Sequence, residues 1–587
     1  MEGYQVTVHI GGRVRAVDAR GGETLLEALR RGGAAPAAPC GGKGTCGKCR
    51  VRVAASDGRA LPVTEADRRN LSQAELDQGH RLACGVVISQ HLIVYLDEGG
   101  SAKILTEGIG PVVCDAFSRE ELVLPEASLE DPRGDDQRLA GALGRAKVDL
   151  SVAQLRSLPA LCGQRAQALL AGDRLLALAR ETTCLGVAVD IGTTTVVGYL
   201  MDLISGQTLG VYSALNAQRS FGADVISRCQ ADQERPGELT RAIREQLGCM
   251  LADFSARLGA DRGCIYRVAL AGNTVMMHLL AGLPVDRIAR SPFTPVYTRA
   301  LTLPAEQLGL NINPLGEAVL LPCVAGYVGA DTVAAMVACD MDRAEQLSLL
   351  LDIGTNGEIA LGDRDGAQVC AAAAGPAFEG AHIRYGMGGV AGAISRVRLA
   401  DGRLICDTID SAPPKGICGS GLVDAIAALR ALGVIDEMGS LDFDGHEQLC
   451  AEVDGREAVR LTDEIALTGR DIREVQLAKG AISAGIHTLL KKRGAQVSDI
   501  RRVYLAGGFG NYIDADHACD IGLIPPALKG RIVPVGNAAG QGARMALCGR
   551  EAAARASQAA ARAAYVELST ERDFQNLFVE EMLFPEV

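Results

Sequence analysis

Four cysteines near the start of the chain have the spacing of iron–sulfur ligands: Cys40, Cys46, Cys49 and Cys84 read C-x5-C-x2-C-x34-C. A [2Fe–2S] cluster needs four thiolates, and here three come from one loop and the fourth arrives later. The wrapping loop must let backbone N–H groups approach the sulfurs. Gly41, Gly42, Gly44 and Gly47 supply that freedom, because glycine adopts positive φ without steric penalty. Structural zinc is the alternative. It usually pairs two short Cys or His knuckles, whereas this is one crowded loop plus a distant single thiol.

A second pattern occurs twice. Asp190-Ile191-Gly192-Thr193 ends an apolar strand at 186–190, and Asp352-Ile353-Gly354-Thr355 ends another at 347–351. Each turn gathers a carboxylate, a flexible backbone and hydroxyls at one tip. Its N–H groups and hydroxyls can cradle phosphates, while the Asp holds Mg2+ through water. One Asp-x-Gly is an ordinary turn signal; two in matching places would clamp one polyphosphate from both sides. Asp190 and Asp352 are therefore candidate catalytic acids. Gly192, Thr193, Thr194, Thr195, Gly354, Thr355 and Asn356 are candidate phosphate contacts. Leu505-Ala506-Gly507-Gly508-Phe509-Gly510 adds a glycine-rich turn at a strand end, where Gly507, Gly508 and Gly510 could bed an adenosine. Asp331 and Glu379 are candidates for orienting a water, with helix capping or plain surface polarity as the alternative. His278, after Met276 and Met277 on an apolar helix, reads as a core histidine rather than a ligand.

Elements must hold these residues. At 587 residues the chain exceeds one core. Residues 1–97 read as an α+β unit with strands at 4–10, 13–18, 48–53 and 91–96, and a helix at 24–31. Gly99, Gly100 and Ser101 open a linker over 98–125. Residues 126–183, rich in Leu, Ala, Arg and Asp, read as a small helical domain on the spacing of Leu139, Leu143 and Leu150. From 184 to 587 the texture is glycine-punctuated α/β and it repeats, with lobes starting near 185 and 347. Val268-Ala269-Leu270-Ala271-Gly272-Asn273 in one half echoes Val503-Tyr504-Leu505-Ala506-Gly507-Gly508 in the other, so two lobes should face a cleft.

Bulk composition narrows the function. Hydrophobic residues at 48% and charged ones at 22% describe a globular protein. The most apolar stretch, 318–338, is broken by Pro322 and Asp331, so no membrane span is expected. The alternating strand at 4–10 leaves no room for a signal peptide, which points to the cytoplasm. A net charge of −12 without a basic stripe argues against nucleic acid as a partner. Residues 1–97 carry 13 Lys and Arg against 10 Asp and Glu, about +3, leaving about −15 elsewhere. Lys43, Lys48 and Arg50 are either solvated surface or a dock for an acidic redox partner. The 18 cysteines read mostly as reduced core thiols.

The segments 190–195, 352–358 and 507–510 resemble the first phosphate, second phosphate and adenosine motifs of the actin, sugar kinase and Hsp70 ATPase superfamily. Segments 419–424 and 478–482 resemble its connecting helices, although Val475, Ala478, Ile482 and Ile486 on one face serve equally as core. The cysteine spacing resembles the adrenodoxin-like branch of plant-type ferredoxins. In full order the chain resembles the reductive activators of corrinoid proteins, including 216–218 with 222–224, 272–274 with Met277 and His278, 325–331 and 375–380. That resemblance implies a β-grasp ferredoxin domain, a linker, a small helical middle domain and a duplicated ATPase core. It implies an ATP-hydrolysing enzyme, with [2Fe–2S], ATP and Mg2+, that passes one electron to Co(II) and regenerates Co(I). The implied partners are a corrinoid protein of a methyltransferase system, an upstream low-potential electron donor and a second copy of the chain. A C-terminal [4Fe–4S] cluster, found in some members, does not fit the isolated Cys519 and Cys548. The competing functions are a small-molecule kinase, an activator of another low-potential enzyme such as a radical dehydratase, and a nucleotide-binding redox sensor.

Overall fold

The structure is a computed structural model describing residues 3–10, 13–36, 38, 40–96, 112–354, 356–400, 403–510 and 512–586. The predicted linker lies outside the described residues over 98–111, as does Thr355.

Alternation of apolar and polar residues builds the first unit. Along Arg50–Ala55 every second side chain is buried, the signature of a sheet covered on one face. Its five strands run in the order Arg13–Arg20, Gly3–Ile10, Leu92–Leu96, Arg50–Ala55, His80–Leu82. Arg13–Arg20 and Gly3–Ile10 form an antiparallel pair, and Gly3–Ile10 pairs in parallel with Leu92–Leu96, Val6 opposite Leu92. This is the β-grasp arrangement. Helix Leu25–Arg31 lays Leu25, Leu26 and Leu29 on the sheet, and a capping box of Thr24 and Glu27 starts it.

The next segment differs from its helical expectation. Helices Asp135–Ala142 and Val152–Ser157 are present, but they accompany a three-stranded sheet of Ser118–Val123, Arg165–Ala171 and Arg174–Ala179. Leu139 is on the first helix, which Leu143 caps; Gly144 then takes φ +62, so Leu150 falls beyond it. The two apolar runs on either side of Gly172-Asp173 form a hairpin, with Gly172 at φ +61.

Two six-stranded sheets follow. The first runs Thr208–Leu215, Thr195–Asp202, Leu185–Ile191, Ile265–Gly272, Glu317–Leu320, Leu301–Pro304. The second runs Ile532–Gly536, Arg502–Ala506, Ser348–Ile353, Gly357–Asp363, Gly366–Ala372, Ala563–Tyr565. In each, the strand ending in Asp-Ile is antiparallel to the strand that follows it and parallel to a later one. The five principal strands of the two sheets therefore share one topology. One apolar core joins the first sheet to one face of the second, through Leu350, Ala360 and Val369, and a second core covers the other face, through Leu349, Leu351 and Ile359. Helices Ala330–Ala338 and Ala538–Cys548 pack on each other between the lobes. Gly542 makes that closeness possible, since a Cβ there would lie 2.1 Å from the Ala334 carbonyl oxygen. Segments 419–424 and 478–482 instead lie in helices Gly419–Ala431 and Gly469–Arg493, within the second lobe's core.

Candidate functional site: a four-thiol loop and an acidic cleft

The cysteine loop closes as its glycines require. Gly41, Gly42, Gly44 and Gly47 all take positive φ. The sulfurs of Cys40 and Cys46 lie 3.3 Å apart, as do those of Cys49 and Cys84. Among the described residues no group of three His, Cys, Asp or Glu side chains could hold a single metal ion. Two thiol couples suit two irons taking two thiolates each, and they do not suit one tetrahedral zinc. Burial raises the Cys40 thiol, but hydrogen bonds from Cys46 and from the N–H groups of Thr45, Cys46 and Gly42 outweigh it and bring it to about 6. The contact with Cys84 lowers Cys49 to about 7, while burial raises Cys46. The same Cys49–Cys84 contact raises Cys84, so each couple favours one thiolate at its partner's expense, whereas iron ligation needs all four deprotonated.

Parallel pairing builds the cleft. Asp190 stands opposite Ala271, and Asp352 opposite Ala506, so each Asp turn lies beside the turn of its parallel neighbour. Gly192 is pinched, since a Cβ would meet the Thr195 carbonyl oxygen at 3.0 Å. Gly354 donates its N–H to the Asn356 carbonyl at 3.0 Å. Gly507 takes φ +88, and a Cβ there would sit 2.5 Å from Asp352 Oδ1, so the glycine-rich turn and the second Asp turn share one spot. Gly508 and Gly510 follow in the short helix Gly507–Gly510.

Asp190, Asp331, Asp352 and Glu358 meet on the cleft floor. Each keeps part of its surface open to the cleft although protein surrounds it. Burial, then the charges of Asp331 and Asp352, raises Asp190 to about 8; a hydrogen bond from Asn537 opposes this. Burial raises Asp331 to about 6, and burial with Asp331 raises Asp352 to about 7. Glu358, paired across the hairpin from Asp352, is raised well above its usual range by burial and by both neighbours. Like charges on one buried floor resist ionising together. A hydrated divalent cation bridging them to phosphates would relieve that repulsion, and Mg2+ characteristically binds through only one or two carboxylates plus phosphates and water.

Thr194 and Glu379 meet across the lobes, the hydroxyl 3.3 Å from Glu379 Oε1. Asp331 lies in the first turn of helix Ala330–Ala338 and accepts the Thr332 N–H at 2.8 Å. His278 is fully buried: Nδ1 lies 2.8 Å from the Thr274 carbonyl and Nε2 accepts the Val296 N–H at 3.0 Å. It is a core histidine. The sequence reading did not single out Glu358, Asn537, Asn216 or Arg228. The hairpin register could have found Glu358, opposite Asp352. Asn216 had a signal too, in the uninterpreted segment 216–218.

Fold and site together define a two-lobed nucleotide-binding ATPase joined to a [2Fe–2S] ferredoxin domain. Residues 8–89 match the 2Fe-2S iron-sulfur cluster binding domain, 185–344 the RACo middle region, and 346–587 the C-terminal domain of RACo, the ASKHA domain. The family's middle region is thus the first lobe, not 126–183. A corrinoid activation enzyme of Eubacterium limosum, RamQ, is 32% identical, with 93% of each chain covered. A Methanosarcina barkeri reductase of the Co(II) methylated amine-specific corrinoid protein is 26% identical over 60% of this chain and 68% of its own. A solved reductive activator for a corrinoid, iron-sulfur protein superposes with TM-score 0.73 at 32% identity, covering 99% of this chain and 98% of that one. This chain belongs to the family of reductive activators of corrinoid proteins.

Proposed function

We propose that this protein uses ATP to drive one-electron reduction of Co(II) to Co(I) in a corrinoid protein of a methyltransferase system. One observation carries the reading: a four-thiolate loop and a duplicated phosphate cleft are built into a single chain. A kinase would leave the thiols without a task. The cluster held by Cys40, Cys46, Cys49 and Cys84 would supply single electrons from near about −400 mV. Each further 100 mV uphill costs about 2.3 kcal/mol per electron, which a carrier alone does not provide.

In this reading Thr193, Thr194, Thr195, Gly354, Thr355 and Asn356 hold phosphates, with Gly192 giving the turn its shape, and Gly507, Gly508 and Gly510 flank the adenosine. Asp190 and Asp352 hold Mg2+ through its water shell, with Asp331 beside them to orient a water. Glu379, beside Thr194, orients the attacking water. The boundaries we assign are a ferredoxin domain over 1–97, a linker to about 117, a mixed α/β segment over 118–183 and ATPase lobes from 185 and 347. We place its action in the cytoplasm; among the described residues no helix is long and apolar enough to cross a membrane. A homodimer and an upstream low-potential donor complete the proposal.

The test is optical. Reduced holoprotein, a Co(II) corrinoid protein and Mg-ATP should produce the Co(I) absorption band, and Mg-ADP should not. Equal reduction without nucleotide would refute the reading.

A further inference from the structure

The ferredoxin domain touches the first lobe through a small set of groups. Arg30, in the last turn of helix Leu25–Arg31, donates from Nη2 to the Ser220 carbonyl and, at 3.1 Å, to the Gly41 carbonyl in the cysteine loop. Its guanidinium lies 4.9 Å from the Phe221 ring centroid, within cation–π range. Gly41 approaches so closely that a Cβ would lie 3.2 Å from the Phe221 carbonyl oxygen. Glu27 and Arg235 add an ion pair at 3.8 Å. One guanidinium therefore grips the cysteine loop and the lobe together.

The gripped segment is tied to the first phosphate turn. Asn216 donates its N–H to the Thr194 carbonyl at 2.9 Å and its side-chain amide to the Gly192 carbonyl at 2.8 Å. Arg228, fully buried, donates from Nη2 to the Thr193 carbonyl at 2.5 Å and from Nε to the Gly222 carbonyl at 3.1 Å. Three successive carbonyls of the turn thus hold a strap, 216–222, whose other face presents Ser220 and Phe221 to Arg30.

We infer that Ser220–Phe221 is a docking seat for the chain's own ferredoxin domain, and that nucleotide at the first phosphate turn tightens it through Asn216 and Arg228. A phosphate bound to the N–H groups of the turn fixes the peptides whose carbonyls those two side chains use. The strap is then ordered in advance, and a second partner meeting an ordered site binds more tightly. Coupling is reciprocal, so docking must tighten nucleotide binding by the same factor. Seated, the loop turns its Gly41 edge to the lobe and leaves Lys43 and Thr45 exposed. The inference uses the proposed function only in taking 190–195 as a nucleotide turn.

The experiment is hydrogen exchange on the full-length holoprotein, with and without Mg-ATP, for wild type, Arg30→Ala, Arg30→Lys and Arg235→Glu. The cluster's visible absorption checks the fold of the ferredoxin domain. Wild type should protect 25–31 and 217–222, more strongly with Mg-ATP. Arg30→Ala should lose that protection and weaken Mg-ATP binding by about fivefold or more, the usual scale of such coupling. Arg30→Lys should rescue little, because lysine lacks the planar guanidinium. Should Arg30→Ala lose its cluster, Arg235→Glu, remote from the cysteines in sequence, decides the matter. Unchanged protection at 217–222 in both variants would overturn the seat. Mg-ATP that binds without deepening protection would overturn the link. Failure of Mg-ATP to bind would sink the nucleotide reading and the link with it, while the variants still judge the seat.

Discussion

Replacing Asp190 with Asn should make the nucleotide-free protein more stable while disabling it. Asp190 is raised from 3.8 to about 8, first by burial and then by Asp331 and Asp352. The native state therefore keeps a proton that the unfolded chain releases above pH 3.8. Stability is full below that value and falls as pH rises toward the native one, by ~1.4 kcal/mol per unit. The unscreened penalty is about 5 kcal/mol near pH 7.5 and about 2 near pH 5.5. The open face of the cleft lets water screen the site, so the realised gain on removing the ionisable group should be roughly 1–2 kcal/mol. In a lobe of this size that corresponds to a melting shift of roughly 2–4 °C per kcal/mol. Scanning calorimetry of nucleotide-free Asp190→Asn against wild type, at both pH values, measures it. The gain should shrink at the lower pH, and Mg-ATP should no longer stabilise the variant. An Asp190→Asn protein less stable than wild type at pH 7.5, or a gain that does not depend on pH, would refute the reasoning.

Three further outcomes are expected. Cys84→Ser should leave one thiol of its couple without a partner and abolish the visible cluster absorption and the bound iron, while Mg-ATP still protects the lobes from proteolysis. Gly507→Ala must pay about 1–2 kcal/mol for its left-handed backbone, and its Cβ would displace Asp352. Titration calorimetry should show Mg-ATP affinity down by about tenfold or more, and wild-type affinity would contradict the shared-spot geometry. Binding of Mg-ATP near pH 7 should release protons, because a cation lowers the carboxyls now held at about 8 and about 7. Calorimetry in two buffers of different ionisation enthalpy reads this directly, and equal heats would count against cation binding at the acids.

The cysteine loop was readable because ligation fixes both residue type and spacing. The phosphate turns were readable because duplication wrote them twice. The segment after the linker was not. The runs 165–171 and 174–179 are rich in Ala and Leu, which favour helix, and only Gly172-Asp173 marks the hairpin. The connecting helices were misplaced because 478–482 is as apolar as any crossing helix, whereas the decisive feature, Gly542 against Ala334, is a contact between residues 208 positions apart. Asn537 and Arg228 escaped for a related reason. A lone polar residue acquires meaning only when the fold brings carbonyls or a carboxylate to it, as Gly222 and Thr193 come to Arg228.

The shared topology of the two sheets has a practical corollary for engineering. Both direct the same ends of their parallel strands inward, so turns 192–194 and 354–356 must keep their length. The hairpin bends at 203–207 and 364–365 cap the opposite ends. Their backbones are packed, Gly206 against Val112 and Cys114, and Arg364 bonded to Ala344 and Arg562. The side chains of Ser205 and Asp365 are exposed, so a fluorophore attached at those two positions would ride on each lobe outside the gap between them and report lobe motion during turnover.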